Sequence, residues 1–264
     1  MKQANLFPNI VTAFGLSCGL YIIFKINLLA PEFSLFDVLF GAALLLLVAA
    51  LADVLDGAIA RAIHAETEFG TMFDSLADAI TFGVVPSVLL LKSLSLEQRS
   101  FLAFFAVSGA MLYSICGVLR LVRFNVKGHE IKGDIEAEIL CKKSFTGLPI
   151  PAAALSAVSA NLFFASSYAK EWLFLSFTAR AVFLTAIMIV LGYLMISRLQ
   201  FPSLKTLHMR ATSFYIIFLT GIFAIFLLYG ILHHFPVVFV LLSWGYIFFS
   251  LLFFLIKKIR KKIE

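Results

Sequence analysis

The chain has 264 residues, 62% of them hydrophobic and 14% charged, with a formal net charge of +6. So large an apolar share excludes a soluble domain and indicates a polytopic membrane protein. The basic residues are scattered among apolar runs without aromatic-basic interleaving, which fits positive-inside bias better than a nucleic-acid surface, and no nucleic-acid partner is expected.

Apolar periodicity and length predict about eight transmembrane helices, over 8–30, 35–61, 72–93, 100–124, 146–167, 178–197, 212–232 and 236–256. Each is long enough for a hydrocarbon core of roughly 30 Å. The expected fold is an all-α polytopic bundle forming one membrane-embedded domain over 1–264, its core at about 8–205 and additional spans over 212–256. No small-residue cleavage site follows the first segment, so the N-terminus is read as retained. An even number of spans puts both termini on one side. With the N-terminus inside, sixteen of the 21 Lys and Arg fall on the inner face, and only Lys25, Lys92, Arg99, Lys170 and Arg180 on the outer. Both termini are therefore expected in the cytoplasm.

In chain order, the first segment opens L-F-P-N-I-V-T, Leu6 to Thr12. Pro8 suits a first helical turn, and Asn9 and Thr12 suit capping or backbone bonding. The second and third segments carry D-x2-D-G-x2-A-R-x8-G-x3-D-x3-D, filled by Asp53, Asp56, Gly57, Ala60, Arg61, Gly70, Asp74 and Asp78. Asp53 and Asp56 are three apart and Asp74 and Asp78 four apart, so each pair shares a helical face. Two such helices packed together would gather four carboxylates. An acid at the centre of a membrane helix costs roughly 2.5–3.5 kcal/mol, and like charges repel besides. Arg61 offsets one of the four. The natural partners of the rest are hard divalent cations, Mg²⁺ or Mn²⁺. A two-ion carboxylate site near a membrane surface suits phosphoryl chemistry. An ion pathway or structural pairing with arginines is the competing reading of intramembrane acids. Gly57 and Ala60 weigh against it, because small residues let a nucleotide approach the helix backbone.

Between these helices His64 reads as interfacial, and Glu66 and Glu68 as a solvated turn. Thr71 and Ser75 flank Asp74 and suit either phosphate or their own helix backbone. The fourth segment ends R-L-V-R-F-N, Arg120 to Asn125, with two arginines on one face. They suit snorkelling to headgroups or a fork on a carboxylate or phosphate. A charged linker over 126–143 leads to F-T-G-L-P-I-P-A-A-A, where Pro149 and Pro151 predict a shaped loop. A basic turn, S-R-L-Q-F-P-S-L-K, begins at Ser197. Cys18, Cys116 and Cys141 form no spaced pair and read as free thiols.

The eight fixed positions of the acidic motif resemble the signature of the CDP-alcohol phosphotransferase family, without a departure. The arginine segment, the Pro-rich loop and the basic turn narrow the resemblance to the type II phosphatidylserine synthases, from Pro8 to about Lys205. It implies an integral membrane enzyme of a prokaryotic-type inner membrane, with its site facing the cytoplasm and homodimeric assembly. The implied reaction moves a phosphatidyl group from CDP-diacylglycerol to L-serine and releases CMP. Asp53, Asp56, Asp74 and Asp78 are the implied metal ligands, with Asp78 also the base. The implied CDP-diacylglycerol contacts are Asn9, Thr12, Asp53, Gly57, Ala60, Arg61, Gly70, Thr71 and Ser75. Arg120, Arg123 and Asn125 are candidates for the serine or a phosphate. Two rivals are carried: the same fold with glycerol 3-phosphate or an inositol phosphate as acceptor, and a cation-coupled transporter.

Overall fold

In lipid a backbone must satisfy its own N–H and C=O groups, so long apolar runs fold as helices. The computed structural model describes residues 6–28, 34–62, 67–96, 100–130, 144–174, 176–202 and 230–263. Its helices are α1 (Leu6–Leu28), α2 (Leu35–Ala62), α3 (Glu68–Asp78), α4 (Val85–Leu94), α5 (Phe101–Glu130), α6 (Ile150–Ala165), α7 (Ser167–Leu173), α8 (Phe177–Ile196) and α9 (Phe235–Ile263). A π-helical turn, Ala79–Val84, joins α3 to α4.

Among the described residues six stretches are long and apolar enough to cross a membrane: Asn9–Leu28, Leu35–Ile59, Glu68–Leu94, Phe101–Val126, Phe177–Ile196 and Phe235–Phe254. They coincide with six of the expected spans. The fifth expected span, 146–167, is the shorter apolar helix Ile150–Ala165. The span expected at 212–232 falls almost wholly outside the described residues.

Two boundaries differ from expectation for local reasons. The third span begins at Glu68 because Thr67 caps it, its hydroxyl accepting from the Gly70 N–H at 3.0 Å. The fifth begins at Ile150, after Pro149, because the preceding residues are extended. There β1 (Ser144–Thr146) pairs antiparallel with β2 (Gln200–Pro202), Phe145 opposite Phe201. This short ladder adds to an otherwise helical architecture. It is continued by the Gly147 N–H donating to Leu199 O at 2.8 Å and the Leu148 N–H to Leu194 O at 3.1 Å. Gly147 has φ +86°, and a Cβ there would overlap the Met195 carbonyl, so only glycine lets the loop dock on the end of α8.

The helices pack as α1 on α2, α5 on α8, and α6 centrally against α2, α4 and α9. Leu39, Leu46, Val85, Leu89, Ile150 and Leu184 are fully buried between them. Lipid is as apolar as this core, so close backbone approach matters more than hydrophobic burial. A Cβ on Gly19 of α1 would sit 2.6 Å from Thr81 Oγ1 and 3.0 Å from its Cα, so glycine alone permits that contact.

The π-helical turn has a sequence cause. Pro86 has no N–H to offer the Phe82 carbonyl one turn back, and its ring crowds that position. The chain widens, with the Val85 N–H bonding Ile80 O. α5 supplies the missing donors: the Tyr113 hydroxyl to Phe82 O at 3.0 Å and the Ser114 hydroxyl to Gly83 O at 2.9 Å. The widened turn begins immediately after Asp78, so it sets the direction in which the chain leaves the acidic cluster.

Candidate active site

The last turns of α2 carry Asp53 and Asp56, and α3 carries Asp74 and, as its final residue, Asp78. Packing of α1 against both α2 and α3 brings the two acidic faces together. They share one cleft, whose other walls include Val11, Thr12, Gly15 and Leu16 of α1, with Thr81 and Phe82 of the π-helical turn at its base. One oxygen from each of Asp53, Asp56 and Asp74 lies within 4.8 Å of the others. Asp78 lies within electrostatic reach of all three and of Arg120.

Asp56 is the most enclosed of these acids, at 5% exposure, and accepts a 2.7 Å hydrogen bond from the Thr12 hydroxyl on Oδ2. Arg120 is 9% exposed, and its Nε is buried without a hydrogen-bond partner. Four carboxylates beside one guanidinium leave a large negative excess where water is scarce, and such a cluster persists only with added positive charge. The donor set fits a divalent cation: it is all oxygen, which Mg²⁺ and Mn²⁺ prefer. The spread is close to the about 4.2 Å that separates opposite ligands of an octahedral ion with metal–oxygen distances near 2.1 Å. The enclosed part of the cleft is about 10 Å³, room for an ion or one water and not for a nucleotide, so a larger ligand would meet the acids from the open side.

The other sequence-derived candidates fall at differing distances from this centre. Asn9 reaches α3, since a Cβ on Gly70 would lie 3.2 Å from Asn9 Oδ1. The Thr71 hydroxyl donates to Thr67 O at 3.1 Å and the Ser75 hydroxyl to Thr71 O at 3.0 Å, the local backbone bonding open to both residues. Asn125 Nδ2 donates to Ser75 Oγ at 2.9 Å, tying the end of α5 to α3. Arg120 and Arg123 lie within electrostatic reach of each other but make different contacts. Arg120 is near Asp78, whereas Arg123 donates from Nη1 to Ile196 O at 2.8 Å and from Nη2 to Ser197 O at 3.5 Å, capping α8. Gly57 lies within α2, one residue beyond Asp56. Ala60 and Arg61 fall in the closing turn of α2, their side chains outside the described part of the structure.

Thr81 joins these residues from the structure alone. It is 2% exposed, its Oγ1 has no hydrogen-bond partner, and it lines the cleft three residues beyond Asp78. That spacing on an acidic helix face was the available signal. The π-helical turn that fixes its position was legible only through Pro86.

The family model for CDP-alcohol phosphatidyltransferase matches residues 5–191. The chain is 31% identical over 201 residues to a Bacillus subtilis protein named CDP-diacylglycerol–serine O-phosphatidyltransferase, covering 76% of this chain and 92% of that one. A Helicobacter pylori protein of the same name is 31% identical over 240 residues, 86% of this chain and 90% of its own. An archaetidylserine synthase of Methanothermobacter thermautotrophicus is 36% identical over 167 residues, 61% of this chain and 58% of its own.

Proposed function

We propose that this chain, which belongs to the CDP-alcohol phosphatidyltransferase family, transfers the phosphatidyl group of CDP-diacylglycerol to the hydroxyl of L-serine, giving phosphatidylserine and CMP. The observation that carries the reading is the convergence of Asp53, Asp56 and Asp74 oxygens within 4.8 Å, in one cleft with Asp78. The choice of serine is supported by the names of the relatives, two of which align over at least nine-tenths of their own length.

The acids would hold divalent metal, two ions of Mg²⁺ or Mn²⁺ in this reading, which when bound clamps the diphosphate and stabilises the charge that develops there. The residues of the chain do the rest. Thr12 fixes the rotamer of Asp56 and withdraws one oxygen lone pair from competition. Asn9, Gly57, Ala60 and Gly70 shape the approach of the cytidine, and Arg61 reaches a phosphate. Thr71 and Ser75 stand beside Asp74 on the same approach. Asp78 takes the proton from the serine hydroxyl as its oxygen attacks the diacylglycerol-bearing phosphorus; the bond from that phosphorus to the CMP oxygen breaks, and CMP leaves. Arg120, close to Asp78, binds the serine carboxylate or the lipid phosphate, and Arg123 and Asn125 hold its helix against α8 and α3.

The excess of Lys and Arg in the segments expected on the same side as the acidic motif supports a cytoplasmic opening in a prokaryotic-type inner membrane. A homodimer of single-domain chains belongs to the same reading.

The test is CMP release by detergent-purified protein given CDP-diacylglycerol, with Mg²⁺ or Mn²⁺ and one acceptor at a time. Release that requires both serine and metal is expected, and a chelator is expected to abolish it. Release with glycerol 3-phosphate or an inositol phosphate, and none with serine, would overturn the acceptor. No metal-dependent release with any acceptor would overturn the reaction.

A further inference from the structure

The last described helix, α9, lies wholly beyond residue 191, where the match to the family model ends. Its seat on the bundle is nevertheless fixed by specific contacts. Phe235 meets Phe40 of α2 with ring centroids 5.0 Å apart. Further along, the Ser243 and Ser159 hydroxyls are 2.7 Å apart, and Trp244 Nε1 donates to Ser156 O of α6 at 3.1 Å. A hydroxyl or indole N–H without a partner in hydrocarbon is costly, so these pairs hold α9 in one rotational setting. That setting turns Tyr246, Ile247 and Ser250 toward the bundle, with Ile247 and Ser250 buried and Tyr246 packed on the core.

Counted from the Phe40–Phe235 contact, Asp53 is 13 residues on and Tyr246 is 11, helical rises of about 20 and 16 Å. Tyr246 therefore stands near the depth of the acidic cleft. The Ser250 hydroxyl, one turn later, donates to the Tyr246 carbonyl at 2.7 Å and lies beside the phenol. The phenol is thereby drawn toward the acidic end, within electrostatic reach of Arg120. The β ladder brings α9 to the same place by another route. α9 packs on β2, β2 pairs with β1, and a Cβ on Gly147, just after β1, would lie 3.3 Å from Arg123 Nη2, one turn beyond Arg120.

These contacts set a neutral hydroxyl near a guanidinium whose closest charged partner is an acid. Arg120 Nε is sealed, so an anion meets that side chain at its Nη end. Such an anion keeps lone pairs that one guanidinium does not fill, and ionised carboxylates have no donors to offer. A phenol donates without adding charge. L-Serine carries the fitting group. Its carboxylate is only a few bonds from the hydroxyl whose proton Asp78 takes, and Asp78 lies within reach of Arg120. We propose that Tyr246 belongs to the serine site, its hydroxyl donating to the substrate carboxylate held by Arg120, so that the C-terminal helix takes part in choosing the acceptor. This role rests on the serine transfer proposed above.

The test measures CMP release by the full chain in detergent, wild type and Y246F, with L-serine and with L-serinamide, whose carboxylate is replaced by a neutral amide. In Y246F the KM for serine is expected to rise about tenfold or more, the scale of a lost hydrogen bond to a charged group. The preference for serine over serinamide, read as the ratio of their kcat/KM values, is expected to shrink by the same factor, and the KM for CDP-diacylglycerol to stay within about twofold. Equal losses with serine and serinamide overturn the role, as does an unchanged KM for serine or a shift confined to CDP-diacylglycerol. A wild type that releases no CMP with serine overturns the reaction itself, and this role with it. Should Y246F not fold, a photoreactive serine analogue on the wild type decides: labelling of the 243–250 peptide supports the role, and labelling elsewhere alone overturns it.

Discussion

Thr12 and Asp56 stand 44 residues apart in the chain and meet at 2.7 Å, the hydroxyl of the first helix donating to the most enclosed acid of the second. A hydrogen bond to a charged group contributes about 1.5–3 kcal/mol, and here it also orients a ligand oxygen. Thr12→Val is expected to raise the metal concentration needed for half-maximal CMP release and to lower kcat/KM by about tenfold or more. Thr12→Ser, which keeps the hydroxyl, is expected to restore most of both. An unchanged metal requirement in the valine variant would show that the bond is only packing.

Asp78 differs from the other acids in lying beside Arg120 at the start of the π-helical turn. Asp78→Asn is expected to abolish turnover while leaving CDP-diacylglycerol binding within about threefold, because a base is lost and the remaining three acids are kept. Asp56→Asn is expected to weaken both. Calorimetric titration with a CDP-alcohol distinguishes the two, and parallel loss in Asp78→Asn would assign it to metal binding alone.

Thr81 offers a test in which stability and activity move in opposite directions. Its hydroxyl is buried and unpartnered, so the near-isosteric Thr81→Val removes an unsatisfied group worth about 1–3 kcal/mol and leaves packing against Gly19 intact. The expected outcome is a thermal midpoint equal to or above that of the wild type together with a lowered kcat/KM for CMP release. A variant as active as the wild type would reduce Thr81 to a packing residue.

The two arginines of the fourth span are expected to separate cleanly. Arg123→Ala removes the donors to Ile196 O and Ser197 O and is expected to lower stability by about 1 kcal/mol, with kcat per folded molecule little changed. Arg120→Ala leaves the acids without their neighbouring guanidinium and is expected to reduce kcat/KM by at least about a hundredfold, the scale of a lost charge-assisted contact in a desolvated site. The reverse ranking would transfer the ligand role to Arg123.

The acidic centre was legible because its logic is one-dimensional. Helical spacing puts Asp53 with Asp56 and Asp74 with Asp78, and apolar runs on either side leave no other way for the faces to meet. The Lys and Arg distribution on which the expected orientation rests is likewise a linear property. What escaped depends on contacts between distant segments. Nothing local marks Arg123 as a cap for α8, since its acceptors are more than 70 residues away. The β1–β2 ladder reads in sequence as a Pro-rich approach to a helix, and only pairing with residues 200–202 makes it extended. Nothing in the sequence distinguishes Thr81 within its apolar segment, and only the widened turn brings it to the cleft.

The base of that cleft has an electrical consequence. Beyond Asp78 the same span continues through Phe82, Val85 and Leu89, all at 1% exposure or less. Among the described residues the charged residues that count as buried are Asp56 and Arg120, both at the acidic end. An ion or proton entering the cleft therefore leaves by the way it came and crosses little of the transmembrane field. Moving one charge through the whole field is worth about 2.3 kcal/mol per 100 mV, and a blind-ended site samples only a small part of that. Turnover in sealed vesicles is accordingly expected to be indifferent to an imposed diffusion potential, so that a cell can go on making this lipid while its membrane is depolarised.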